Sequence, residues 1–438
     1  MNCKNIATLF LLIIMFNGTY DAQTINPLYE IGTWQGFRSS AVSFTFDDNT
    51  PNQLSIVLPM FDQYGFKMTF YPVINWSPNW IALQKAASNG HEVGSHTVSH
   101  ASFGTLTTDQ QTNELKNSQD AINVKITAQK CVTIAYPNCV VGNASICKQY
   151  YVAARGCSGQ IVSKTPVDFM NISSLACGSQ SNIQRTSDFT SKADAAVSSN
   201  SWVVFLLHAI DSESGYSPTS SAQLKGALDY LSQNSDKFWV SSFSNVARYI
   251  KERNNVSVKE VSVNDSLIVF TVTDTLNNST YNFPVTIRRV LPQGWSSAKI
   301  SQKGKTINSQ IVNANAKKYV MFDAVPDSGD IRMTLEKTTS VSEEYGAQIP
   351  YAVLLQNYPN PFNPETTISY KVQVASKVSL KIYDVLGREI ATLVDEYKQP
   401  GAYNSQFSIR NSQLQSGVYF YRIKAGTFIQ TKRMILVK

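Results

Sequence analysis

The 438-residue sequence predicts an α/β domain with a largely parallel sheet, followed by two small all-β sandwich domains. Two patterns predict this. Between about residues 27 and 253, short apolar runs alternate with amphipathic helical stretches, as βα units do. From about Val256 onward, apolar residues recur at every second position between Asn/Asp/Ser turns, as in antiparallel sheets.

The elements follow in chain order. "MNCKNIATLFLLIIMFNGTYDAQ" has a basic Lys4, an apolar run from Ile6 to Phe16 and a small Ala22 before Gln23. Residues 1–22 read as a secretory signal peptide, because the run is too short to span a bilayer. No later stretch is long and apolar enough to span one, so an exported, soluble mature protein is expected. Strands are predicted at Ala41–Phe46, Lys67–Tyr71, Glu92–Ser95, Val132–Ala135, Val152–Arg155 and Trp202–Leu207. Helices are predicted at Pro51–Tyr64, Ile81–Asn89, Thr108–Thr127 and Ser221–Asn234. The length of 27–253 suits one α/β barrel or one doubly wound domain.

Residues 256–337 read as a small β-sandwich of unassigned role, with Trp295 and Tyr281 as its candidate sugar contacts and a spacer role as the alternative. Residues 338–350 form a polar linker, "TTSVSEEYGAQIP". Residues 351–438 are again all-β, entered through "QNYPNPFNPETTISY". The net charge of +7 is spread over a long chain with no dense Lys/Arg run, so nucleic acid is not an expected partner.

Six cysteines are present, and Cys3 leaves with the signal peptide. The remaining five, Cys131, Cys139, Cys147, Cys157 and Cys177, all fall in the α/β segment. Export permits disulfides. An odd count allows at most two bridges and leaves a thiol. A Cys-rich zinc site is the competing reading, and the lack of any C-x-x-C pair argues against it.

Chemistry concentrates around four histidines, His91, His96, His100 and His208, all in the α/β segment. Three lie in "NGHEVGSHTVSH". His96 and His100 are four apart, and on one helical turn such side chains share a face. With one carboxylate they would make a three-ligand metal site with an open position. Upstream, "AVSFTFDDNT" reads as a buried strand ending in two aspartates, Asp47 and Asp48. Adjacent carboxylates repel each other, so the pair needs a reason. His91 precedes a strand and reads as structural.

"TFDD" (Thr45–Asp48) followed by "HTVSH" (His96–His100), with a late strand "WVVFLLHAID" ending in His208, resembles the motif set of the polysaccharide deacetylases. These are the NodB-like carbohydrate esterases of family four. The resemblance covers about residues 37–250. It implies a distorted (β/α) barrel with its site at the C-terminal strand ends. It also implies that Asp48, His96 and His100 bind a divalent metal, usually zinc, with cobalt or nickel also compatible with the donors. Asp47 would be the general base acting on water whose pKa the metal brings to about 7. His208 would be the general acid.

Two departures from the family pattern matter. The third motif, typically R-x-P-Y/W, reads "AYPNC". Ala135 stands where the arginine would be, and Asn138 where the aromatic would be. The Asn138 backbone N–H, beside Tyr136, can still serve an oxyanion. Arg155, at the end of the next strand, is the candidate replacement for the missing guanidinium. The fourth motif, typically an aspartate near a tryptophan, is met loosely by Asp168 with Phe169, and an Asp168–Arg155 pair is expected. Trp76 and Trp80, in "NWSPNW", are candidates for stacking on sugar.

The tail, "NYPNPFNPETTISY" through "KIYDVLGREIATLVD" and "SGVYFYRIKAG", resembles the type A sorting domain of the type IX secretion system. That resemblance implies passage across the outer membrane by that machinery, then release or surface attachment. A carbohydrate-binding sandwich is the alternative for this segment. The expected function is removal of acetyl groups from an acetylated polysaccharide or oligosaccharide. Either an N-acetyl amide, as in a chitin deacetylase, or an O-acetyl ester, as in an acetylxylan esterase, fits. A catalytically weak glycan-binding surface protein on the same scaffold is the alternative, motivated by the altered third motif.

Overall fold

The computed structural model describes residues 27–336, 352–409, 414–426 and 428–437. The predicted signal peptide (1–22) and linker (338–350) lie outside them. The chain divides into two units, Met1–Lys337 and Thr338–Lys438.

The first unit opens with strand β1 (Tyr29–Ile31) and strand β2 (Ser40–Asp47). There follow helix α1 (Leu58–Tyr64), β3 (Thr69–Tyr71), α2 (Trp80–Ser88), β4 (Glu92–Val93), α3 (Thr108–Lys125) and β5 (Thr133–Ala135). Next come α4 (Ala144–Cys147), β6 (Ala153–Arg155), β7 (Leu175–Ala176), α5 (Thr186–Ser198), β8 (Trp202–Leu207), α6 (Ser221–Gln233), β9 (Phe238–Val240) and α7 (Phe243–Asn255). Every residue of β2 and β8 is buried, because helices cover one face of the sheet and side chains fill the other. The helices start where local chemistry allows. Thr107 and Gln110 form a capping box on α3, and the Asn79 side chain caps α2. The predicted helix from Pro51 begins with a π-helical turn, Gln53–Val57, before α1.

β4, β3, β2, β8 and β7 form one parallel sheet in that order, with β9 also paired to β2. β5 and β6 form a separate parallel pair. These strands do not make one continuous ladder. The links between the two groups are single parallel bridges, Ser95 to Ile134 and Arg155 to Ile172. In the β2–β8 register Phe46 lies opposite Leu207, which brings the residues after both strands to the same edge.

Residues 257–335 are an antiparallel sandwich. One sheet has the order β1, β12 (Val285–Val290), β16 (Lys317–Ala324), β15 (Ser309–Ala314). The other runs β10 (Ser257–Val263), β11 (Leu267–Thr273), β17 (Ile331–Leu335), β13 (Ala298–Gln302), β14 (Lys305–Ile307). β1 lies upstream of the α/β elements yet pairs with β12, Tyr29 opposite Arg289. One core continues from Trp202, Phe243 and Tyr249 to Ile287, Phe270 and Phe322. The α/β region and this sandwich therefore pack as one unit, with α7 between them. The buried positions of α7, Phe243, Val246, Ala247 and Ile250, fall at helical spacing. Trp295 is buried, and its indole N–H donates to the Asp265 carbonyl.

The second unit has sheets β18 (Ala352–Leu354), β19 (Glu365–Val372), β22 (Gly401–Ser408) and β21 (Glu389–Lys398), β20 (Ser376–Tyr383), β23 (Gly417–Ala425), β24 (Phe428–Leu436). Alternating burial along β19 and β20 places Ile368, Tyr370, Val378 and Leu380 in one shared core.

Candidate metal and active site

The expected chemical residues follow the C-terminal ends of parallel strands. β2 ends in Asp47, and the next two residues, Asp48 and Asn49, are left-handed (φ 71° and 46°). Asp and Asn tolerate that region better than most residues. The turn sends the neighbouring carboxylates to different environments. Asp47 is fully enclosed, whereas Asp48 opens toward a cleft of ≈ 590 Å³ lined also by Asn49, Thr50 and Trp76.

The segment carrying His96 and His100 is not the helical turn that their spacing suggests. It is a loop after β4 with left-handed residues at Thr97 (φ 69°) and His100 (φ 63°). Glu114 on α3 holds this loop by accepting from the N–H groups of Val98 (2.8 Å) and Ser99 (3.0 Å) and from the Ser99 hydroxyl (2.6 Å). Thr97 Oγ accepts from the His100 N–H.

His96 Nδ1 lies 2.8 Å from the Ala135 carbonyl. A carbonyl only accepts, so Nδ1 carries the proton and Nε2 presents a lone pair. That Nε2 is 3.6 Å from Asp48 Oδ1, and His100 Nε2 is 3.7 Å from the same oxygen. One ligand atom from each of Asp48, His96 and His100 lies within 4.8 Å of the others.

This trio fits a divalent cation. Asp48 Oδ1 is buried with no hydrogen-bond donor. Burial lowers His96 to about 4 and also lowers His100, so both imidazoles are neutral ligands at pH 7. Burial, then the charge of Asp47, pushes Asp48 up to about 7. A buried carboxyl destabilised in this way is relieved by a positive ion. One oxygen and two imidazole nitrogens suit a borderline metal.

Arg155, at the end of β6, is buried, and its Nη2 lies 2.5 Å from Asp47 Oδ2. Burial alone would raise the Asp47 carboxyl. The Arg155 charge, with His96 and His208, outweighs it and the net shift is downward. Arg155 also donates to Ser174 and lies over the Tyr71 ring. The expected Arg155–Asp168 pair is not made. Asp168 is exposed and accepts from the Met170 N–H, while the guanidinium is turned toward Asp47.

His208, one residue past β8, has Nε2 4.0 Å from Asp47 Oδ2, and burial lowers its pKa. Gln53 ties the two residues together. Its buried amide donates to the Asp47 carbonyl (2.5 Å) and to the His208 carbonyl (3.1 Å). Glu213 joins the same two loops by accepting from the Thr50 hydroxyl and from the N–H groups of Asn52 and Ile210.

Asn138 is exposed in the turn after β5, with φ 53°, and Cys139 beside it has φ 59°. Cys139 is bonded to Cys157, two residues past Arg155, while Cys131, Cys147 and Cys177 are free and buried. Tyr136 is turned into the core, its ring edge-on to Phe103. Trp76 is exposed and lies against His100, whereas Trp80 opens α2 and packs half-buried on the α/β core. His91 is buried between the Met68 N–H and Asp62.

Residues 35–150 match the family model described as polysaccharide deacetylase, and residues 356–438 match that of the secretion system C-terminal sorting domain. The chain carries a polysaccharide deacetylase domain. The match reaches Asp47, Asp48, Trp76, His96, His100 and Asn138, and ends before Arg155, Asp168 and His208. The sorting domain indicates export by type IX secretion. Among the described residues no helix is long and apolar enough to cross a membrane.

A gellan lyase from a Bacillus species is 27% identical over 73% of this chain, which spans only 14% of that protein. Among solved structures, the deacetylase domain is similar to the Xyl-CE4 domain of a multidomain xylanase from the hindgut metagenome of Trinervitermes trinervoides. The identity is 18% and the TM-score 0.35, covering 47% of this chain and 88% of that one. It is also similar to a family 4 acetyl xylan esterase from Clostridium thermocellum, solved with a cobalt ion. There the identity is 18% and the TM-score 0.34, covering 47% and 89%.

Sequence reasoning missed Gln53, Glu114, Glu213 and Tyr216, whose ring meets His208 at 4.8 Å. Gln53, Glu114 and Glu213 reach loops distant in sequence, Tyr216 lies only eight residues past His208, and nothing local to any of them signals the contact.

Proposed function

We propose that this protein is an exported, metal-dependent deacetylase that hydrolyses acetyl groups, as N-acetyl amides or O-acetyl esters, from a polysaccharide or oligosaccharide. The observation that carries the reading is the convergence of Asp48, His96 and His100 to within 4.8 Å beside an Asp47 carboxylate kept ionised by Arg155. Asp48 and the two imidazoles would hold the ion, with zinc expected and cobalt or nickel also compatible with the donors. A divalent ion supplies Lewis-acid polarisation and lowers the pKa of bound water.

The chain's own groups do the rest. Asp47 takes the proton of the attacking water through its unpartnered Oδ1. His208 donates a proton to the departing amine or alcohol. The Asn138 N–H is the candidate partner of the developing oxyanion. The two single bridges that join the strand groups support reading the α/β region as a distorted barrel. Release from the cell or attachment at its surface are both compatible with the sorting domain, and the middle sandwich serves as a packing partner or spacer.

Acetate release from acetylxylan and chito-oligosaccharides, with and without a chelator, tests the reading. Activity that survives complete metal removal sinks it. The second reading, a glycan-binding protein of low activity, was motivated by Ala135 in the arginine position. Arg155 on Asp47 weakens that motivation. If wild type and Asp47→Asn bind glycan alike and neither releases acetate, the binding reading wins.

A further inference from the structure

A second cleft, of ≈ 460 Å³, lies away from the metal trio. The trio follows the C-terminal ends of β2 and β4, whereas this cleft is lined by the segments leading into β5 and β6, Lys130–Val132 and Lys148–Val152. Its other wall is Thr280 and Tyr281, between β11 and β12 of the sandwich. β5 and β6 run parallel, and His96 meets the Ala135 carbonyl at the far end of β5. The two sites therefore sit at opposite strand ends.

Charge in this cleft is one-sided. Lys130 and Lys148 are exposed and line it, and no carboxylate does. Lys251 of α7 is half-buried beside it, with Nζ 5.8 Å from the Tyr281 ring centroid and 4.3 Å from that of Phe169. Among the described residues none of these three lysines forms an ion pair. The acids adjacent in sequence are engaged elsewhere. Glu252 accepts from the Phe283 N–H, and Asp168 from the Met170 N–H. Burial, then the charge of Lys148, lowers the pKa of Lys251. The two rings offset part of that cost. An anion between the lysines would remove the rest.

The walls are held in place. Gln119 of α3 donates to the carbonyls of Cys131 and Tyr150, and Asn123 accepts from the Cys131 N–H. The lining has no arginine fork and no helix N-terminus, the features that favour phosphate. It offers instead two half-buried tyrosine rings, Tyr150 and Tyr281, with their hydroxyls and that of Thr280. Rings and hydroxyls together suit the apolar face and polar edge of a sugar. Of the sandwich's two candidate sugar contacts, Trp295 is buried and Tyr281 stays accessible in this cleft.

We infer that the cleft binds a sugar bearing a carboxylate, a uronic acid residue of an anionic polysaccharide, through Lys130, Lys148 and Lys251 with Tyr281 beside the ring. The middle sandwich is then half of a binding site that holds the protein on an acidic glycan, away from the metal trio. This site does not depend on the deacetylase reading.

The experiment titrates the full chain, at low salt, with oligogalacturonates and with the same oligomers methyl-esterified, which keeps the sugar and removes the charge. The acidic form should bind about tenfold or more tightly than the ester. The double variant Lys130→Glu, Lys148→Glu should weaken that binding about tenfold or more, with an unfolding midpoint equal to wild type because both side chains are exposed. Lys148→Arg should keep it, and Lys251→Met, which retains the apolar stem, should weaken it about threefold. Asp48→Asn should bind as wild type does, which separates the cleft from capture of carboxylates by the metal. Equal affinity for acid and ester, unchanged binding in the double variant, or loss of binding in Asp48→Asn overturns the site. Inorganic phosphate or double-stranded DNA that displaces the oligomer at equal charge concentration overturns the sugar assignment. Acetate release from a neutral acetylated glycan should be the same in wild type and in the double variant. If no acetate is released but lysine-dependent binding is found, the deacetylase reading falls and this site stands. Acetate release without lysine-dependent binding gives the reverse.

Discussion

The guanidinium of Arg155 lies 2.5 Å from the Asp47 carboxylate, and both side chains are buried. The arginine comes from the strand after the one that carries Ala135. The Ala135 carbonyl meanwhile orients His96. The strand that lost the guanidinium thus still serves the site through its backbone, and the charge arrives from next door.

Arg155→Met should therefore be costly twice. Removing one partner of a buried ion pair leaves the other uncompensated, which costs about 3–5 kcal/mol. Loss of an ionised base should lower kcat/KM on an acetylated glycan by about 100-fold or more. Arg155→Lys should recover part of the stability and little of the rate, because a point charge does not reproduce the fork. Unchanged turnover in Arg155→Met would remove the arginine from the site's workings.

The two aspartates make unequal mutants. Asp48→Asn should lose metal, because it takes away the one carboxylate of the trio. Asp47→Asn should keep the metal and lose turnover by about 10²–10⁴-fold, the usual weight of a general base. Metal content by elemental analysis separates them, and equal metal loss in both overturns the assignment.

Side-chain chemistry concentrated in short runs was legible. The aspartate pair and the close histidines stood out by residue type and spacing, His208 through the family resemblance alone, and the long strands through apolar runs. The path by which they meet was not. His96 and His100 converge through a loop capped by Glu114, not through a helical turn. Asp168 seemed the natural partner for Arg155, and only the three-dimensional register turns that side chain to Asp47. Residues 29–31 looked like part of the α/β segment. Their strand pairs with β12, some 250 residues downstream in the chain, a contact to which no local pattern points.

Gln53 should matter more than a buried amide usually does. It donates to the carbonyls of both Asp47 and His208, so it sets the spacing of the proposed base and acid. Gln53→Leu leaves both carbonyls without that donor, at a cost of about 1–3 kcal/mol. We expect kcat to fall about tenfold with KM nearly constant, since misplacement of a proton-transfer pair acts on the chemical step. A variant with raised KM and unaltered kcat would show that Gln53 serves substrate binding instead.

The Cys139–Cys157 bond joins the turn that carries Asn138 to the segment just past Arg155. Asn138 and Cys139 are both left-handed, a conformation that persists only when neighbours enforce it. Cys157→Ser should lower kcat/KM and loosen this turn, seen as faster amide hydrogen exchange at residues 136–142. Protection equal to wild type would mean that packing alone holds the turn.

The pH dependence of stability has a source away from the site. Glu252 on α7 is fully buried and accepts from the Phe283 N–H. Its carboxyl is pushed up to about 8 by burial and then by its hydrogen bond to the Asp274 carboxyl, with Arg248 pulling weakly the other way. The folded pKa is above the unfolded value of 4.5. Its contribution is therefore complete below pH 4.5 and is lost as pH rises through about 8. All six tryptophans lie in the first unit, so their fluorescence follows the unfolding of that unit alone. The midpoint should drop between pH 5 and pH 9 by at least roughly 2–4 °C, the shift that about 1 kcal/mol produces in a domain of this size. Glu252→Gln, which stays neutral throughout, should show a smaller drop over the same interval. Buried site groups such as Asp48 contribute equally to both proteins, so the difference between the two curves isolates Glu252. Parallel curves would mean that Glu252 ionises without cost in the folded protein.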